Sequence, residues 1–124
     1  MTKKEIAQLY IEFLENGDIN QIIKLFSNKG KVTSPIYGTK LASDFYKELD
    51  EDTLNSKLKF KGLFEEKDTQ RIALYFKYNW TLKNNSFVEF EVVDIIKFDE
   101  NNKTEHLKII YDTVKSRVFV KDLK

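Results

Sequence analysis

The chain has 124 residues, and its charges nearly cancel, with 21 Lys and Arg against 20 Asp and Glu. No basic stripe stands out, which argues against a nucleic-acid partner. There is no cysteine and only one histidine, which excludes disulfides, thiolate metal sites and histidine-rich metal centres. No apolar run approaches the ~20 residues that cross a bilayer, and the N-terminus lacks a secretory signal. We therefore expect one cytoplasmic domain over residues 1–124, with no membrane, nucleic-acid or cofactor partner.

The first predicted element is an amphipathic helix from Lys3 to Glu15. Thr2 and Glu5 have the spacing of a capping box at its start. Asn16-Gly17 is expected to end it, because both residues tolerate a left-handed backbone. The residues that recur at helical spacing on the buried face are Ile6, Leu9, Tyr10, Phe13 and Leu14.

Two further helices and one short strand are predicted before residue 50. Asp18 caps a helix that runs through Phe26, and a third helix is expected from Thr39 to about Leu49. Between them, Lys31 to Ile36 reads as a strand. Pro35 within that strand cannot donate to a neighbour, so the strand is expected at an edge or a bulge.

The second half of the chain changes to the two-residue period of strands. The predicted strands are Lys57 to Glu66, Arg71 to Lys83, Ser86 to Asp99 and Glu105 to Thr113. In the first of them the expected inward set is Leu58, Phe60, Gly62 and Phe64. A tail follows from Ser116 to Leu123, and its Val118 to Val120 would suit an edge strand or burial against a partner.

Helices followed by a long antiparallel meander indicate an α+β fold, with the helices on one face of the sheet. Long strands curl, so three N-terminal helices on a strongly curved, mostly antiparallel sheet would enclose a cone. The chain is rich in aromatic residues, with ten Phe, six Tyr and one Trp. A cone lined by aromatic side chains and a few polar groups is a natural site for a small molecule.

Asp94 is the principal candidate for a functional residue. It lies in the segment SFVEFEVVDIIKFD, where residues two apart share a face. The face with Asp94 is otherwise apolar, whereas a shift of one residue would place Glu89 and Glu91 in the core. A buried carboxylate is costly unless it is hydrogen-bonded or stays protonated, so we favour a functional role for Asp94.

Tyr10 and Ser34 are the other polar residues expected to face inward. Each also has a structural interpretation. A tyrosine in an apolar helix stripe is more often a core residue, and Ser34 is a small residue beside Pro35. His106 shares a strand face with Lys108 and Asp112, which suggests a solvated or interface position. Because no Ser-His-Asp set, phosphate loop or metal-ligand spacing is present, a hydrolase triad is unsupported.

Three segments together resemble the nuclear transport factor 2-like superfamily, which includes ketosteroid isomerases and SnoaL-like polyketide cyclases. They are YIEFLENGDINQIIKLF from Tyr10, SPIYG from Ser34 and VDIIKFDENNKTEHLKIIYD from Val93. The resemblance covers nearly the whole chain and implies a cystatin-like cone.

The resemblance also implies roles for single residues. Tyr10 falls on the oxyanion-hole tyrosine of the isomerase, and Asp94 on its protonated aspartic acid. Tyr111 falls on a pocket aromatic residue. Ser34 replaces the general-base aspartate, and losing a positioned base typically costs a factor of about 10² to 10⁴. Efficient ketosteroid isomerisation is therefore not expected, although Asp94 could act alone as an acid/base, as in the cyclases.

Two functional hypotheses follow. The first is a domain that binds a small apolar molecule, with Tyr10 and Asp94 as catalytic residues of an isomerase-like or cyclase-like site. Its expected ligand-binding residues are Ser34, Phe60, Phe76, Trp80, Phe90 and Tyr111. The second is a non-catalytic homodimer or accessory module that uses its sheet face to bind protein. An open pocket of several hundred Å³ would favour the first hypothesis, and a cone filled by aromatic side chains would favour the second.

Overall fold

The computed structural model describes residues 1–124 and contains four helices and six strands. The helices are α1 (Lys3–Asn16), α2 (Ile19–Lys24), α3 (Ala42–Asp52) and α4 (Ser116–Leu123). The strands are β1 (Phe26–Ser34), β2 (Gly38–Leu41), β3 (Thr53–Glu65), β4 (Arg71–Leu82), β5 (Phe87–Phe98) and β6 (Thr104–Ile110). They form one sheet in the order β2-β1-β6-β5-β4-β3. Only β1 and β6 are parallel neighbours.

The predicted caps of the first helix are confirmed. Thr2 Oγ1 accepts the backbone N–H of Glu5 at 3.1 Å, and the Glu5 carboxylate accepts the N–H of Thr2 at 3.0 Å. Gly17 ends the helix with φ 69°, a left-handed conformation that glycine adopts without steric cost. The face turned to the sheet buries Ile6, Ala7, Tyr10 and Leu14.

The boundaries between residues 19 and 52 differ from those predicted. The second helix ends at Lys24, because Phe26 already pairs with Thr104 of β6 as the first residue of a longer β1. Thr39 and Lys40 belong to β2, which pairs with β1 as a hairpin, so the third helix begins only at Ala42. Pro35 lies between the two strands of this hairpin, where no ladder hydrogen bond is needed.

The predicted phase of the Asp94 strand is confirmed. Glu89 and Glu91 are exposed, and Asp94 is buried. The strand lies between β4 and β6. Within it, Asp94 is opposite Leu74 of β4 and Ile109 of β6. The residues on its inner face are Val88, Phe90, Val92, Asp94, Ile96 and Phe98, of which all but the half-buried Phe90 are buried.

Phe60 and Phe64 in β3 are not buried as predicted, for two different reasons. Phe60 is opposite the buried Phe76, but β3 is an edge strand and Phe60 stays 48% exposed. A bulge between Phe60 and Gly62 then reverses the faces. Phe64 therefore lies opposite Ala73 on the outer face and is 61% exposed.

The tail is a helix rather than an edge strand. Its apolar residues recur at helical spacing, and Ser116 and Val120 of α4 are buried while Phe119 and Leu123 pack on the core. The β-branched residues that suggested a strand are thus overruled by tertiary packing.

The α+β class is confirmed, with an open and mostly antiparallel sheet. Helices α1 to α3 pack on one face of the sheet, and the 22 buried apolar residues between them form one cluster. None of the four helices combines the length and hydropathy needed to cross a membrane.

Candidate functional site

A cavity of about 40 Å³ lies between the sheet and the helices α1 and α3. Twelve of its 14 lining residues are hydrophobic, and none is Lys, Arg or His. The lining residues are Tyr10, Leu14, Ser34, Tyr37, Phe45, Leu49, Phe76, Tyr78, Trp80, Phe90, Val92, Asp94, Ile109 and Tyr111. The cavity therefore offers apolar surface, a few hydroxyl groups and one carboxyl group.

Asp94 carries the only carboxyl group on the cavity wall. It is 1% exposed, and neither carboxyl oxygen has a hydrogen-bond partner. Burial raises the pKa of Asp94 well above its usual range, and no cation is near enough to oppose that shift. The protonated form is favoured, so Asp94 presents one O–H donor and one acceptor oxygen.

The Tyr10 hydroxyl shares a hydrogen bond of 2.7 Å with the hydroxyl of Tyr46 rather than with Asp94. Burial raises the pKa of both phenols, so both stay neutral. A hydroxyl pair offers two protons and uses only one in the shared bond. One hydroxyl can therefore donate to a further group.

Tyr46 is a residue that our sequence reasoning missed. It lies beside Phe45 in α3, and the buried residues of that helix include Ala42, Phe45 and Tyr46. The spacing of these residues, continued to Leu49, is the pattern of a helix face, and it was the available signal.

Ser34 lies on the cavity wall but is engaged by the turn that follows it. Its Oγ accepts the backbone N–H of Tyr37 at 2.9 Å. The Tyr37 hydroxyl in turn donates to Asp52 Oδ2 at 2.7 Å, and burial raises the pKa of this phenol strongly. Asp52 is 6% exposed and also accepts a bond from Lys124 Nζ at 3.0 Å. Nothing in the sequence distinguishes Asp52 from its acidic neighbours Asp50 and Glu51.

Of the expected aromatic ligand contacts, Phe76, Trp80, Phe90 and Tyr111 line the cavity. Phe60 does not line the cavity, and its side chain is 48% exposed. The rings of Tyr78, Phe90 and Tyr111 form one stack, with centroid distances of 5.5 Å between Tyr78 and Phe90 and 4.3 Å between Phe90 and Tyr111. Two polar atoms of the aromatic lining are engaged outside the cavity: Trp80 Nε1 donates to Thr53 Oγ1, and the Tyr78 hydroxyl shares a hydrogen bond with the Ser56 hydroxyl.

His106 is outside this site. Its Nε2 is 2.8 Å from the hydroxyl of Thr33, and Lys31, Val32 and Thr33 of β1 run beside β6 at this point. It is not among the lining residues, so the chemistry of the cavity depends on hydroxyl and carboxyl groups alone.

Comparison with solved structures identifies the fold. An NTF2-like protein of unknown function from Burkholderia pseudomallei K96243 superposes with a TM-score of 0.80 at 16% identity, over 94% of this chain and 95% of that one. The epoxide hydrolase/cyclase-like enzyme SalBIII, which has a role in pyran ring formation in the polyether salinomycin, gives 0.77 at 14% identity, over 89% and 90%.

A protein with a ketosteroid isomerase-like fold from Catenulispora acidiphila DSM 44928, in complex with trimethylamine, gives a TM-score of 0.77 at 13% identity, over 90% of this chain and 88% of that one. No family model matches the sequence, and comparison with curated proteins finds no match. The chain has the nuclear transport factor 2-like fold, and the resemblance seen in the sequence is confirmed at the level of the fold.

Proposed function

We propose that the protein binds a small apolar compound that carries an oxygen acceptor, such as a carbonyl group, in the cavity beside Asp94. The observation that carries this proposal is the buried Asp94 carboxyl, whose two oxygens have no partner. Leaving a buried polar group unpaired costs about 1–3 kcal/mol. A ligand oxygen that accepts a hydrogen bond from the carboxyl group would recover that free energy.

The chemistry that fits this arrangement is stabilisation of negative charge on the ligand oxygen. A protonated Asp94 donates a hydrogen bond to the oxygen as charge develops there, and the Tyr10 hydroxyl pair supplies a second donor. In this protonated form Asp94 would serve as the hydrogen-bond donor or general acid of a cyclase-like or isomerase-like reaction. Fold likeness alone does not separate enzymes from binding proteins, so the proposal depends on Asp94.

A matched pair of probes tests the binding step. The ketone 1-indanone and the hydrocarbon indane share a carbon skeleton, and only the ketone accepts a hydrogen bond. We expect the ketone to bind more tightly, by roughly 2- to 10-fold for one hydrogen bond. Binding is read from the fluorescence of Trp80, the only tryptophan, which lines the cavity.

Two variants assign the preference to Asp94. Asp94→Asn retains a hydrogen-bond donor and should keep the preference for the ketone, whereas Asp94→Leu should weaken it, because only the Tyr10 hydroxyl pair remains as a donor. Equal affinity for the two probes, or an undiminished preference in Asp94→Leu, would contradict the proposed role of Asp94.

The second candidate function is a non-catalytic dimeric module that binds protein through the sheet. The small cavity favours it, because ligand sites usually have about 300–1,000 Å³. The cone is not filled by all the aromatic residues expected to face inward, however, since Phe60 and Phe64 lie outside the core. Failure of both probes to bind the wild-type protein would favour this second function.

A further inference from the structure

The cavity is too small, as it stands, for the ligand that the proposed function requires. A water molecule needs roughly 10–15 Å³ of cavity volume, so a cavity of about 40 Å³ holds only a few waters. An organic ligand can therefore enter only if part of the wall moves. The candidate for the moving part is the C-terminal helix α4.

Helix α4 contacts the segments that form one side of the cavity. At its first turn, Arg117 Nη2 donates to the carbonyl of Pro35 at 3.3 Å, between the lining residues Ser34 and Tyr37. At its end, Lys124 Nζ donates to Asp52 at 3.0 Å and to Glu48 at 3.2 Å.

The acceptors of Lys124 place the end of α4 beside a third part of the cavity wall. Glu48 and Asp52 flank the lining residue Leu49 on α3. The chain enters α4 only a few residues after Tyr111, which also lines the cavity. Helix α4 thus lies behind the side of the cavity formed by Ser34, Tyr37 and Leu49, although none of its own residues lines the cavity.

The attachment of α4 to the rest of the molecule is slight. The polar contacts run through side chains, including a bond of 3.5 Å from Asn84 Nδ2 to the carbonyl of Phe119. Only Ser116 and Val120 of the helix are buried, and no side chain caps its N-terminus. Lys124 is about half exposed, and exposed ion pairs contribute only about 0–1 kcal/mol each.

Asp52 connects this attachment to the cavity wall. Its carboxylate accepts one hydrogen bond from the Lys124 ammonium and another from the hydroxyl of Tyr37, a lining residue. Displacement of α4 would remove the cation and expose this carboxylate to solvent. The side of the cavity held by Tyr37 would then be free to move.

We propose that α4 is a lid over the cavity, held closed by Lys124 against Asp52 and Glu48, and that it swings away to admit the ligand. This inference rests on the proposed function for the reason that a ligand should enter. Opening of the lid itself, however, is measurable with no ligand present.

Quenching of Trp80 fluorescence by acrylamide measures the opening. Trp80 is 2% exposed and lines the cavity, so quenching is low while the lid is closed. Lys124→Met removes the ion pairs with Asp52 and Glu48 and retains an unbranched side chain of similar length. We expect its quenching constant to rise at least twofold, and the amides of residues 116–124 to exchange hydrogen faster.

Lys121→Met is the matched control, because Lys121 is an exposed lysine of the same helix with no ion pair. It should quench and exchange like the wild-type protein. Arg117→Met tests the other end of the lid and should also raise quenching. In every variant the thermal midpoint is measured, so that lid opening is separated from global unfolding.

The lid is refuted if Lys124→Met and Arg117→Met quench like the wild type, or if quenching rises only as the whole protein unfolds. It is also refuted if 1-indanone binds and its association rate is the same in Lys124→Met as in the wild type. Raised quenching without binding of either probe in any variant would support the lid and overturn the proposed function. The two failures are therefore distinguishable.

Discussion

The contribution of Asp94 to the free energy of unfolding depends on pH. Burial raises its pKa in the folded protein, whereas in the unfolded chain the pKa is about 3.9. Between these two values the folded state holds a proton that the unfolded state has released. Stability contributed by this group is therefore full at low pH and falls as the pH rises through the window, by about 1.4 kcal/mol per pH unit.

Asp94→Asn should remove this pH dependence. The amide has nearly the same shape and cannot ionise, so we expect the variant to be equal to or more stable than the wild type near pH 7. The free energy of unfolding, measured by urea titration from pH 4 to pH 8, should show the difference growing with pH. Glu48 and Glu66, whose pKa values are lowered by hydrogen bonds from Lys40 and Arg71, are present in both proteins and cancel in the difference.

Glu89→Gln is the control for this experiment, because Glu89 lies on the exposed face of the same strand. Its curve should keep the pH dependence attributed to Asp94. If Asp94→Asn is strongly destabilised at pH 7, the carboxylate is ionised and paired, and a neutral donor is the wrong description.

Ser34→Asp should restore a base to the cavity. In the sheet, β6 lies between the strands of Ser34 and Asp94, which separates them by two strand spacings of about 4.8 Å. An aspartate at position 34 could then remove a proton from a ketone held at Asp94, which typically contributes a factor of about 10² to 10⁴. The test is isomerisation of cyclohex-3-en-1-one to its conjugated isomer, followed by ultraviolet absorbance.

Ser34→Asn matches the aspartate in size but has no basic group, so it should stay at the wild-type rate. The double variant Ser34→Asp with Asp94→Leu should lose the gain. Equal rates in Ser34→Asp and Ser34→Asn would show that residue 34 is not placed to act on a ketone at Asp94.

At this scale, the sequence predicts residues whose position follows from a regular period. Asp94 is such a residue, because only one phase of its strand keeps Glu89 and Glu91 out of the core. The bond of Tyr10 to Tyr46 and the burial of Asp52 depend on how α3 approaches the sheet. No local pattern contains that information.

At the scale of elements, regular segments were predictable and interruptions were not. The capping box of α1 and the phase of β5 are local. The bulge of β3 is not, because Lys61 becomes the extra residue only through the pairing with β4. Likewise, the residues of α4 form a helix because Val120 is buried by the rest of the molecule.

Gly30 is an element-scale constraint that can be tested. It lies where β1 runs beside β6, and a Cβ atom added there would come within 2.8 Å of the carbonyl oxygen of Thr104 and 2.9 Å of the Phe26 ring. The backbone oxygen cannot turn aside. We expect Gly30→Ala to lower the free energy of unfolding by about 1–3 kcal/mol, measured by urea denaturation.

Gly62→Ala is the matched control for that substitution. A Cβ atom there would meet only the ring of Phe64 at 3.2 Å, and this exposed side chain can move. The variant should stay within about 0.5 kcal/mol of the wild type. Equal losses at both glycines would mean that the approach of β1 to β6 is not a tight constraint.

At the scale of the whole molecule, the outer face of the sheet carries an apolar patch. Tyr75, Val93 and Ile110 lie side by side on three neighbouring strands, with Phe64 and Ile95 in the adjacent row. Phe64 and Ile110 are 61% and 49% exposed. Val120, which the sequence suggested as a further contact, belongs to α4 and is buried in the core, so it is unavailable to a partner.

This patch fits a second copy of the chain. Charged residues of both signs flank the patch as ion pairs, including Lys61 with Glu91 and Lys77 with Glu89. A two-fold axis through such a surface can place opposite charges across the interface, as an isologous dimer requires. We therefore propose a homodimer that buries this face, in agreement with the expectation from the sequence.

Ile110→Glu should abolish that dimer, because it would place a charge without a partner in the buried patch. Sedimentation velocity at micromolar concentration should show the wild type as a dimer and the variant as a monomer. At concentrations low enough for both proteins to be monomeric, their thermal midpoints should be the same. Val118→Glu is the control, since Val118 is 56% exposed on α4, a helix that does not belong to the sheet. It should remain dimeric. A wild-type protein that sediments as a monomer would refute the dimer, and a dimer disrupted by Val118→Glu but not by Ile110→Glu would place the interface on α4 instead.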